Sequence, residues 1–355
     1  MIVTELTNQD RADWDAYVRA ALGGLPQHLS AWREVLEATY GYRTRYLLAR
    51  DETRNQSDGP ASSIMGVMPL FLVPSFLTGR TLSTMPGGLC ADDDTVAQAL
   101  IARATEIADA CNARRLVVQD GRTAWTLPTA KTSAQHEAWL VDVHGTEDEL
   151  SGRLHRNIRR QIRMAEKNGL TARIDRTGET ADDFYAVLSR FTHQSGTPVF
   201  GRSFVANVVK YLAGHYNIVT VYHEDKPVGS YFQLEMAETV YGVWGATLHE
   251  YLNLRPVYLA YWEILADANR HGFTCVDMGR SPAESNASKF KRQWGGESVP
   301  IFQQTISLNG AQDASVTERT QSDGRLRSFM QIWPHIPFPV AQFLGPKLRR
   351  HVPFA

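Results

Sequence analysis

The chain has 355 residues, enough for two domains, and its 43% hydrophobic and 21% charged residues are typical of a folded globular protein, which excludes extensive disorder. Its 37 Lys and Arg residues are balanced by 38 Asp and Glu residues, so any polyanion binding must come from a local patch. Three scattered cysteines form no disulfide framework, and there is no secretory signal pattern or bilayer-spanning apolar run; these features favour the cytoplasm.

The first half alternates predicted strands and helices, which indicates an α/β or α+β domain. Within one apolar strand, Pro69 predicts a bulge or a sheet edge, because proline cannot donate a ladder hydrogen bond. The strands are predicted over 2–6, 43–50, 64–73, 79–82 and 115–119, and the helices around 14–18 and over 29–40 and 95–112.

The second half repeats this order of elements from about Glu147 onward. Helices are predicted over 153–167, 181–194, 204–212 and 256–271, and strands over 171–175, 216–222, 228–236, 239–244, 273–278 and 299–308. We predict one domain over 1–146, a second over 147–308, a polar linker over 309–324 and a tail over 325–355.

The helix predicted over 153–167 carries a row of arginines on one face. Arg156, Arg159 and Arg163 recur with Lys167 at helical spacing, and Glu166 is the only acid between residues 151 and 168. Most cationic helix faces are simply solvated, but here i,i+4 pairing cannot neutralise the row. We therefore expect these arginines to bind phosphate or another polyanion.

A second cationic region follows the strand predicted over 273–278. Its glycine turn and its aromatic neighbours, Phe290 and Trp294, are typical of a binding cleft rather than of ordinary surface charge. Asp277 is a candidate general base, and it is equally consistent with holding the adjacent turn by hydrogen bonds. The candidate contacts of this region are Gly279, Arg280, Ser281, Lys289, Lys291 and Arg292.

Two neighbouring strands carry a further group of candidate residues. Tyr231 and Gln233 alternate on one strand and share a face, while Tyr241 and Trp244 lie on the next strand. These side chains are equally consistent with the wall of an acceptor pocket and with an ordinary aromatic core.

Several chemistries lack their sequence patterns. None of the 11 His residues lies in an HExxH or zinc-finger spacing, so no metal site is expected. The chain also lacks a GxSxG elbow, a Walker loop and a GxGxxG turn, which argues against hydrolase, NTPase and dinucleotide-binding functions. We expect no tightly bound cofactor.

The order of these motifs resembles that of the FemAB family. Residues 154–169 resemble the FemAB arginine helix, and 277–281 with 290–295 resemble the closing motif of FemAB-related proteins of exosortase (PEP-CTERM) exopolysaccharide systems. Further segments that follow the same pattern are 27–32, 66–70, 86–92, 196–200 and 333–346.

The resemblance implies tandem GNAT-like domains, each a mixed, mostly antiparallel sheet flanked by helices, with the transfer chemistry in the second. Members of this group acylate amines; the peptidoglycan branch uses aminoacyl-tRNA, and GNAT relatives use acyl-CoA. By this resemblance, Phe290 and Lys291 lie beside the donor carbonyl, and Arg156 or Arg159 grips an acceptor phosphate. Trp32 joins the candidate substrate contacts, and we expect Lys291 to stabilise developing charge.

Two departures from the family pattern leave the donor open. Residues 245–256 contain no Gly-x-Gly for a CoA pyrophosphate, and the coiled-coil arm of some peptidoglycan members is absent. We expect aminoacyl or acyl transfer onto an amine of a peptide, sugar or small metabolite. The alternatives are an acyl-CoA-dependent N-acyltransferase of exopolysaccharide or envelope biosynthesis, and a non-catalytic module that binds a glycan-phosphate or tRNA.

The tail combines cations with aromatic residues, a composition that fits peripheral contact with an anionic membrane. Packing of the tail onto the first domain is the preferred interpretation. The residues concerned are Arg325, Arg327, Phe329, Trp333, Phe338, Phe343, Lys347, Arg349 and Arg350.

Overall fold

The computed structural model describes residues 1–51, 63–75, 79–308 and 329–351, and the chain divides into two compact units. Unit 1 comprises Met1–Ala134, Ile301–Arg327 and Lys347–Ala355, and unit 2 comprises Gln135–Pro300 and Ser328–Pro346. This division differs from the boundaries drawn on the sequence, and it splits the predicted tail between the two units. The predicted linker, 309–324, lies outside the described residues.

The strands in chain order are β1 (Ile2–Glu5), β2 (Arg43–Arg50), β3 (Ile64–Val73), β4 (Thr81–Thr84), β5 (Cys90–Ala91), β6 (Arg115–Gly121), β7 (Ala130–Asp142), β8 (Leu170–Asp175), β9 (Tyr216–His223), β10 (Lys226–Met236), β11 (Thr239–Thr247), β12 (Cys275–Pro282) and β13 (Glu297–Ser307). The helices are α1 (Arg11–Ala20), α2 (Trp32–Tyr40), α3 (Asp94–Ala110), α4 (Glu147–Arg153), α5 (Arg156–Lys167), α6 (Ala181–Gln194), α7 (Arg202–Tyr211), α8 (Pro256–Arg270), α9 (Asn286–Arg292) and α10 (Phe338–Arg349).

The sheet of unit 1 has the order β1-β2-β3-β4-β6-β13. Strands β1 to β4 are antiparallel, and β6 runs parallel to β4 after the crossover through α3. The last part of β13 completes the sheet by antiparallel pairing with β6, from Phe302↔Gly121 to Ser307↔Arg115. One face of α3 closes the core by packing Leu100 and Ala104 with Leu47 and Leu116.

Pro69 lies inside β3 without a bulge at its position. It pairs with Tyr46 of β2 in regular register. On the other side of β3, pairing with β4 ends at Leu70↔Thr84 and pairing with β5 begins at Val67↔Cys90. Of the two predicted alternatives, the bulge is absent and the edge fits: the proline lies between two partner strands, where β3 is locally unpaired on one side and no ladder donor is required.

The sheet of unit 2 has the order β8-β9-β10-β11-β12-β7. Strands β8 to β11 are antiparallel, β12 is parallel to β11 after the crossover through α8, and the 135–142 part of β7 pairs antiparallel with β12. Both units thus place four antiparallel strands, a helical crossover to a parallel fifth strand and an antiparallel sixth in the same order. The mixed, mostly antiparallel α/β fold predicted from the sequence is confirmed.

The helix predicted over 153–167 is α5, which begins at Arg156, and a separate helix that was not predicted, α4, precedes it. A capping box, in which Thr146 and Glu149 exchange hydrogen bonds, starts α4, and α4 ends where Leu154 becomes extended. Leu154 is buried, and α5 follows with Ile158, Ile162 and Ala165 facing the core of unit 2 beside residues of α8. The arginine row consequently belongs to α5 alone.

Candidate functional site

Strands β11 and β12 pair briefly and then diverge. Their parallel ladder runs from Thr239↔Cys275 to Tyr241↔Asp277, and β12 then continues its pairing with β7. At the branch point, a Cβ on Gly279 would lie 2.2 Å from the carbonyl oxygen of Gly242. Gly279 also has a φ of 79°, so both its conformation and its surroundings require glycine. Two close glycines thus mark the position from which the strands separate.

Lys291 is buried beside this branch point. Its ammonium donates hydrogen bonds to the carbonyl oxygens of Gly279, at 2.7 Å, and Arg280, at 3.3 Å. The side chain comes from α9, a short helix whose N-terminus is capped by the hydroxyl of Ser285. The predicted association of Lys291 with the glycine turn is therefore present in the geometry.

Asp277 holds the same turn from inside β12. The side chain is 2% exposed, and its Oδ1 accepts a hydrogen bond of 2.8 Å from the N–H of Gly279. This geometry matches the hydrogen-bonding alternative given for Asp277 on the sequence. A carboxylate engaged in this way fixes the direction in which β12 leaves β11.

Phe290 belongs to a group of four packed aromatic rings. Its centroid lies 5.3 Å from that of Tyr258, 5.4 Å from that of Tyr261 and 6.0 Å from that of Trp294. The two tyrosines come from α8 and were not singled out on the sequence, although their i,i+3 spacing places them on one helix face. Trp294 is buried, and the other three rings, which are half-buried, form an apolar wall next to the Lys291 helix.

Tyr231 extends this aromatic wall from β10. Its ring meets that of Tyr261 at 5.5 Å, and its hydroxyl lies 2.6 Å from the hydroxyl of Thr247. A Cβ on Gly245 would lie 2.4 Å from the Tyr231 ring, so glycine makes room for this ring on β11. Burial raises the pKa of Tyr231 to about 12, so its phenol stays neutral at physiological pH.

Gln233 and Trp244 have different surroundings. Gln233 is 1% exposed, and its Oε1 has no hydrogen-bond partner among the described residues. Trp244 makes edge-to-face contacts with Phe232, Phe200 and Phe204. These rings lie on the face of the sheet opposite Tyr231. The structure thus places Trp244 in an aromatic core and separates it from Tyr231.

The other candidate substrate contacts predicted on the sequence lie partly on the surface and partly in the interior. Arg280 and Lys289 are exposed, and the Arg280 guanidinium lies 3.0 Å from Nε2 of His136. Ser281 is buried, and its Oγ lacks a hydrogen-bond partner in the described part of the chain. Trp32 lies in unit 1, where it is fully buried and donates from Nε1 to the carbonyl of Pro26.

The exposed face of α5 is strongly cationic. Arg156, Arg159, Arg160, Arg163 and Lys167 are all exposed. Arg160 donates to the side chain of Asn157, and none of the five forms an ion pair with another described residue. An uncompensated row of guanidinium groups is suited to phosphate, which it binds in bidentate fashion.

Two further observations concern metal-ion binding and helices that could span a membrane. In the described ranges, no group of three or more His, Cys, Asp or Glu side chains is arranged to hold a metal ion. Within the same ranges, no helix has the length and apolarity to cross a bilayer.

Residues 152–292 match the family described as Acetyltransferase (GNAT) domain, a stretch that contains α5, the diverging strands and Lys291. No curated protein matches the chain in sequence. The solved structure of FemX covers 87% of this chain and 98% of its own, with 17% identity and a TM-score of 0.65. Residues 152–292 are thus similar to a GNAT acetyltransferase domain, and the chain shares the fold of FemX.

Two other solved structures share this fold. A tandem GNAT protein from the clavulanic acid biosynthesis pathway covers 88% of this chain and 99% of its own, at 12% identity and a TM-score of 0.57. The C-terminal domain of a putative lysylphosphatidylglycerol synthetase from Agrobacterium fabrum aligns with 84% of this chain and over 92% of its own length. The identity is 13% and the TM-score is 0.55. The tandem arrangement expected from the sequence is thus a known fold.

The connection from β11 to α8 departs from a glycine-rich phosphate loop. A 3-10 helix, His249–Leu254, fills it, and Arg255 adopts a left-handed conformation with a φ of 72°. Helix α8 begins at Pro256, which has no N–H, and the N–H of Tyr258 bonds to the carbonyl of Arg255. Two of the first three residues of α8 therefore offer no free N–H to a pyrophosphate.

Proposed function

We propose that this protein is a FemAB-like acyltransferase that moves an aminoacyl group from aminoacyl-tRNA onto an amine of a peptide, sugar or small metabolite. The observation that carries the donor assignment is the β11–α8 connection, in which a 3-10 helix and Pro256 stand where a CoA pyrophosphate would need a row of free N–H groups. A tRNA terminus carries its acyl ester without that pyrophosphate. The cationic face of α5 supports the same assignment.

In this proposal the amine attacks the ester carbonyl of the donor. A C–N bond forms, the C–O bond to the ribose breaks, and the proton lost by the amine passes to the departing ribose oxygen. The gap between β11 and β12 holds the acyl group, and the half-buried edge of Phe290 lies beside it. Correct placement of the two reactants supplies much of the acceleration in such a reaction.

Lys291 stabilises the carbonyl oxygen as negative charge develops there. Its ammonium is buried and held in place by two backbone carbonyls, so its position is set before the substrate arrives. Asp277 fixes the Gly279 turn instead of acting as the base, because its carboxylate is engaged with the Gly279 N–H. The proton passes directly from the attacking amine to the departing ribose oxygen, without a protein base.

Arg156, Arg159 and Arg163 bind phosphate groups of a substrate through the exposed face of α5. Two sources of phosphate fit this chemistry, the tRNA backbone and a phosphate-bearing acceptor. Arg280 and Lys289 are exposed near the branch point and extend the cationic surface. Measurement of tRNA affinity and of the acceptor KM for α5 variants distinguishes the two sources.

The test uses the purified full chain, a pool of tRNA charged with radiolabelled amino acids, and a panel of amine acceptors. We expect label to move from tRNA to an acceptor in an alkali-stable amide, and no label to move from acetyl-CoA. Transfer from acetyl-CoA alone would assign the chain to the CoA-dependent alternative. Binding of charged tRNA without turnover would identify it as a binding module.

A further inference from the structure

We propose that residues 329–346, here called the strap, fix the position of β11 at the branch point by bracing the 196–201 loop. The strap belongs to unit 2, although it lies beyond residues 152–292, which match the GNAT domain. Its effect on transfer rests on the proposed function, because the gap between β11 and β12 is where that function places the acyl group. The strap then supplies positioning residues for the reaction.

The strap is anchored to α6. His193 donates from Nε2 to the carbonyl oxygen of Ile336 at 2.9 Å, and Gln342 donates to the hydroxyl of Ser189 at 3.3 Å. Trp333, in a short 3-10 helix that contacts α6, is 1% exposed. These contacts make the strap a folded part of unit 2.

Two glycines bring the strap against the 196–201 loop. A Cβ on Gly196 would lie 2.3 Å from the carbonyl oxygen of Met330. A Cβ on Gly345 would lie 3.1 Å from the carbonyl oxygen of Val199. Because backbone packs on backbone at both points, a side chain at either glycine would push the strap and the loop apart.

The 196–201 loop in turn contacts β11 through Phe200. This side chain is 7% exposed, and its ring centroid lies 5.7 Å from that of Trp244 and 4.8 Å from that of Phe204. The Phe204 ring also meets Trp244, at 5.4 Å. Since side chains in a close-packed cluster cannot move independently, a displacement of the loop shifts Trp244.

Trp244 is separated from the branch point by one residue. Phe232 pairs with Trp244, but the next residue, Gln233, pairs with Gly242, so Val243 is the extra residue of a β-bulge. The carbonyl oxygen of Gly242 is the atom that faces β12 at the branch point. A series of contacts within unit 2 therefore runs from the strap through the loop to the backbone that borders the gap.

The test compares two glycines that follow helices in the same left-handed conformation. Gly196 follows α6 with a φ of 75°, and Gly214 follows α7 with a φ of 80°. A Cβ on Gly214 would meet no atom within 4 Å. Gly196→Ala therefore adds the clash with Met330 to a backbone strain that the control, Gly214→Ala, shares.

The first measurement is hydrogen–deuterium exchange of the full chain, which requires no activity. We expect Gly196→Ala to speed exchange of the amides of residues 242–246 by about tenfold or more, and Gly214→Ala to leave them at the wild-type rate. Unchanged exchange at 242–246 in Gly196→Ala would overturn the proposal. If Gly196→Ala does not fold, Gly345→Ala replaces it, because its Cβ would approach the loop less closely.

The second measurement is the rate of transfer with the donor that the wild type uses. We expect Gly196→Ala to lower kcat by about 10- to 100-fold and to leave the donor KM unchanged, because α5 is not altered. In a Phe200→Ala background the same substitution should have little further effect, since the ring that contacts Trp244 is already removed.

Equal losses of kcat in both backgrounds would indicate general destabilisation and would overturn the role of the loop. A wild-type protein that transfers no acyl group would reject the proposed function. The exchange rates of 242–246 would still decide whether the strap positions β11, so the two failures are distinguishable.

Discussion

The ammonium nitrogen of Lys291 lies 2.7 Å from the carbonyl oxygen of Gly279, to which it donates a hydrogen bond. The N–H of Gly279 in turn bonds to Asp277, and its Cα faces the backbone of Gly242. One buried cation therefore connects α9 to the point at which β12 leaves β11. Substitutions here therefore change stability as well as chemistry.

Replacement of Lys291 by alanine should abolish most of the transfer. We expect kcat to fall by about 10²–10³, because a preorganised charge-stabilising donor is lost. The loss of its hydrogen bonds should also cost about 1–3 kcal/mol of unfolding free energy. Single-turnover transfer and urea unfolding separate the two effects, with Lys226→Ala, an exposed lysine of β10, as the control. Near-normal turnover by a folded Lys291→Ala protein would remove Lys291 from the mechanism.

Gly279 should not tolerate a side chain. Gly279→Ala places a Cβ 2.2 Å from a backbone oxygen in a left-handed conformation, so we expect a loss of about 2 kcal/mol or more in unfolding free energy. Gly152→Ala is the control: a Cβ there meets no atom within 4 Å, and alanine in α4 should gain about 0.5–1 kcal/mol. If the two variants have equal urea midpoints, the close approach of Gly279 to Gly242 is not maintained in solution.

The cationic face of α5 should govern phosphate binding. We expect Arg156→Ala/Arg163→Ala to weaken binding of charged tRNA by about tenfold or more at low salt and to reduce the slope of log K against log salt. The control is Arg190→Ala, which changes an exposed arginine of α6 and should leave the tRNA affinity and its salt dependence unchanged. A rise in the acceptor KM with unaltered tRNA affinity would instead place the acceptor phosphate on α5.

His28 should make the stability of unit 1 dependent on pH. The side chain is fully buried, its Nδ1 accepts from the N–H of Leu25, and its Nε2 lies 3.1 Å from the carbonyl oxygen of Gly87. These partners require the neutral ring, and burial lowers the pKa from 6.5 to about 4.

Because the folded pKa lies below the unfolded one, the stabilising contribution is complete above pH 6.5 and is lost as the pH falls toward 4. The full contribution is about 3 kcal/mol. Urea unfolding between pH 4 and 7.5 measures it. The His28→Gln variant should lose the dependence of unfolding free energy on pH in this range. The control, His335→Gln, changes an exposed histidine and should keep that dependence. If the dependence survives in His28→Gln, another group is responsible for it.

Local patterns predicted the placement of candidate residues where a single element carries them, and the roles of those residues stay predictions. The spacing of Arg156, Arg159 and Arg163 was sufficient to identify the α5 face, and the glycine turn with Lys291 identified the branch point. Tyr258 and Tyr261 were missed because helix periodicity does not reveal which face meets Phe290. Trp244 was grouped with Tyr231, but a bulge in β11 and strand alternation place them on opposite faces.

The extent of each unit was not predictable from local signals. Strand β7 was not predicted because most of its residues before Ala138 are polar, and nothing in the composition of β13 tells which sheet it joins. Residues 135–142 pair with β12, and residues 301–307 pair with β6 across more than half of the chain. Such non-local pairing depends on the whole sheet and not on the propensity of the strand.

The pairing of β13 with β6 also sets the order of folding during synthesis. The ribosome completes β6 and then makes residues 122–300, which include most of unit 2, before residues 301–307 emerge. At 5–20 residues per second, the sheet of unit 1 lacks its last strand for roughly 10–40 s. During that interval the nascent chain presents an open strand edge, which is the feature that chaperones shield and that promotes aggregation when left uncovered.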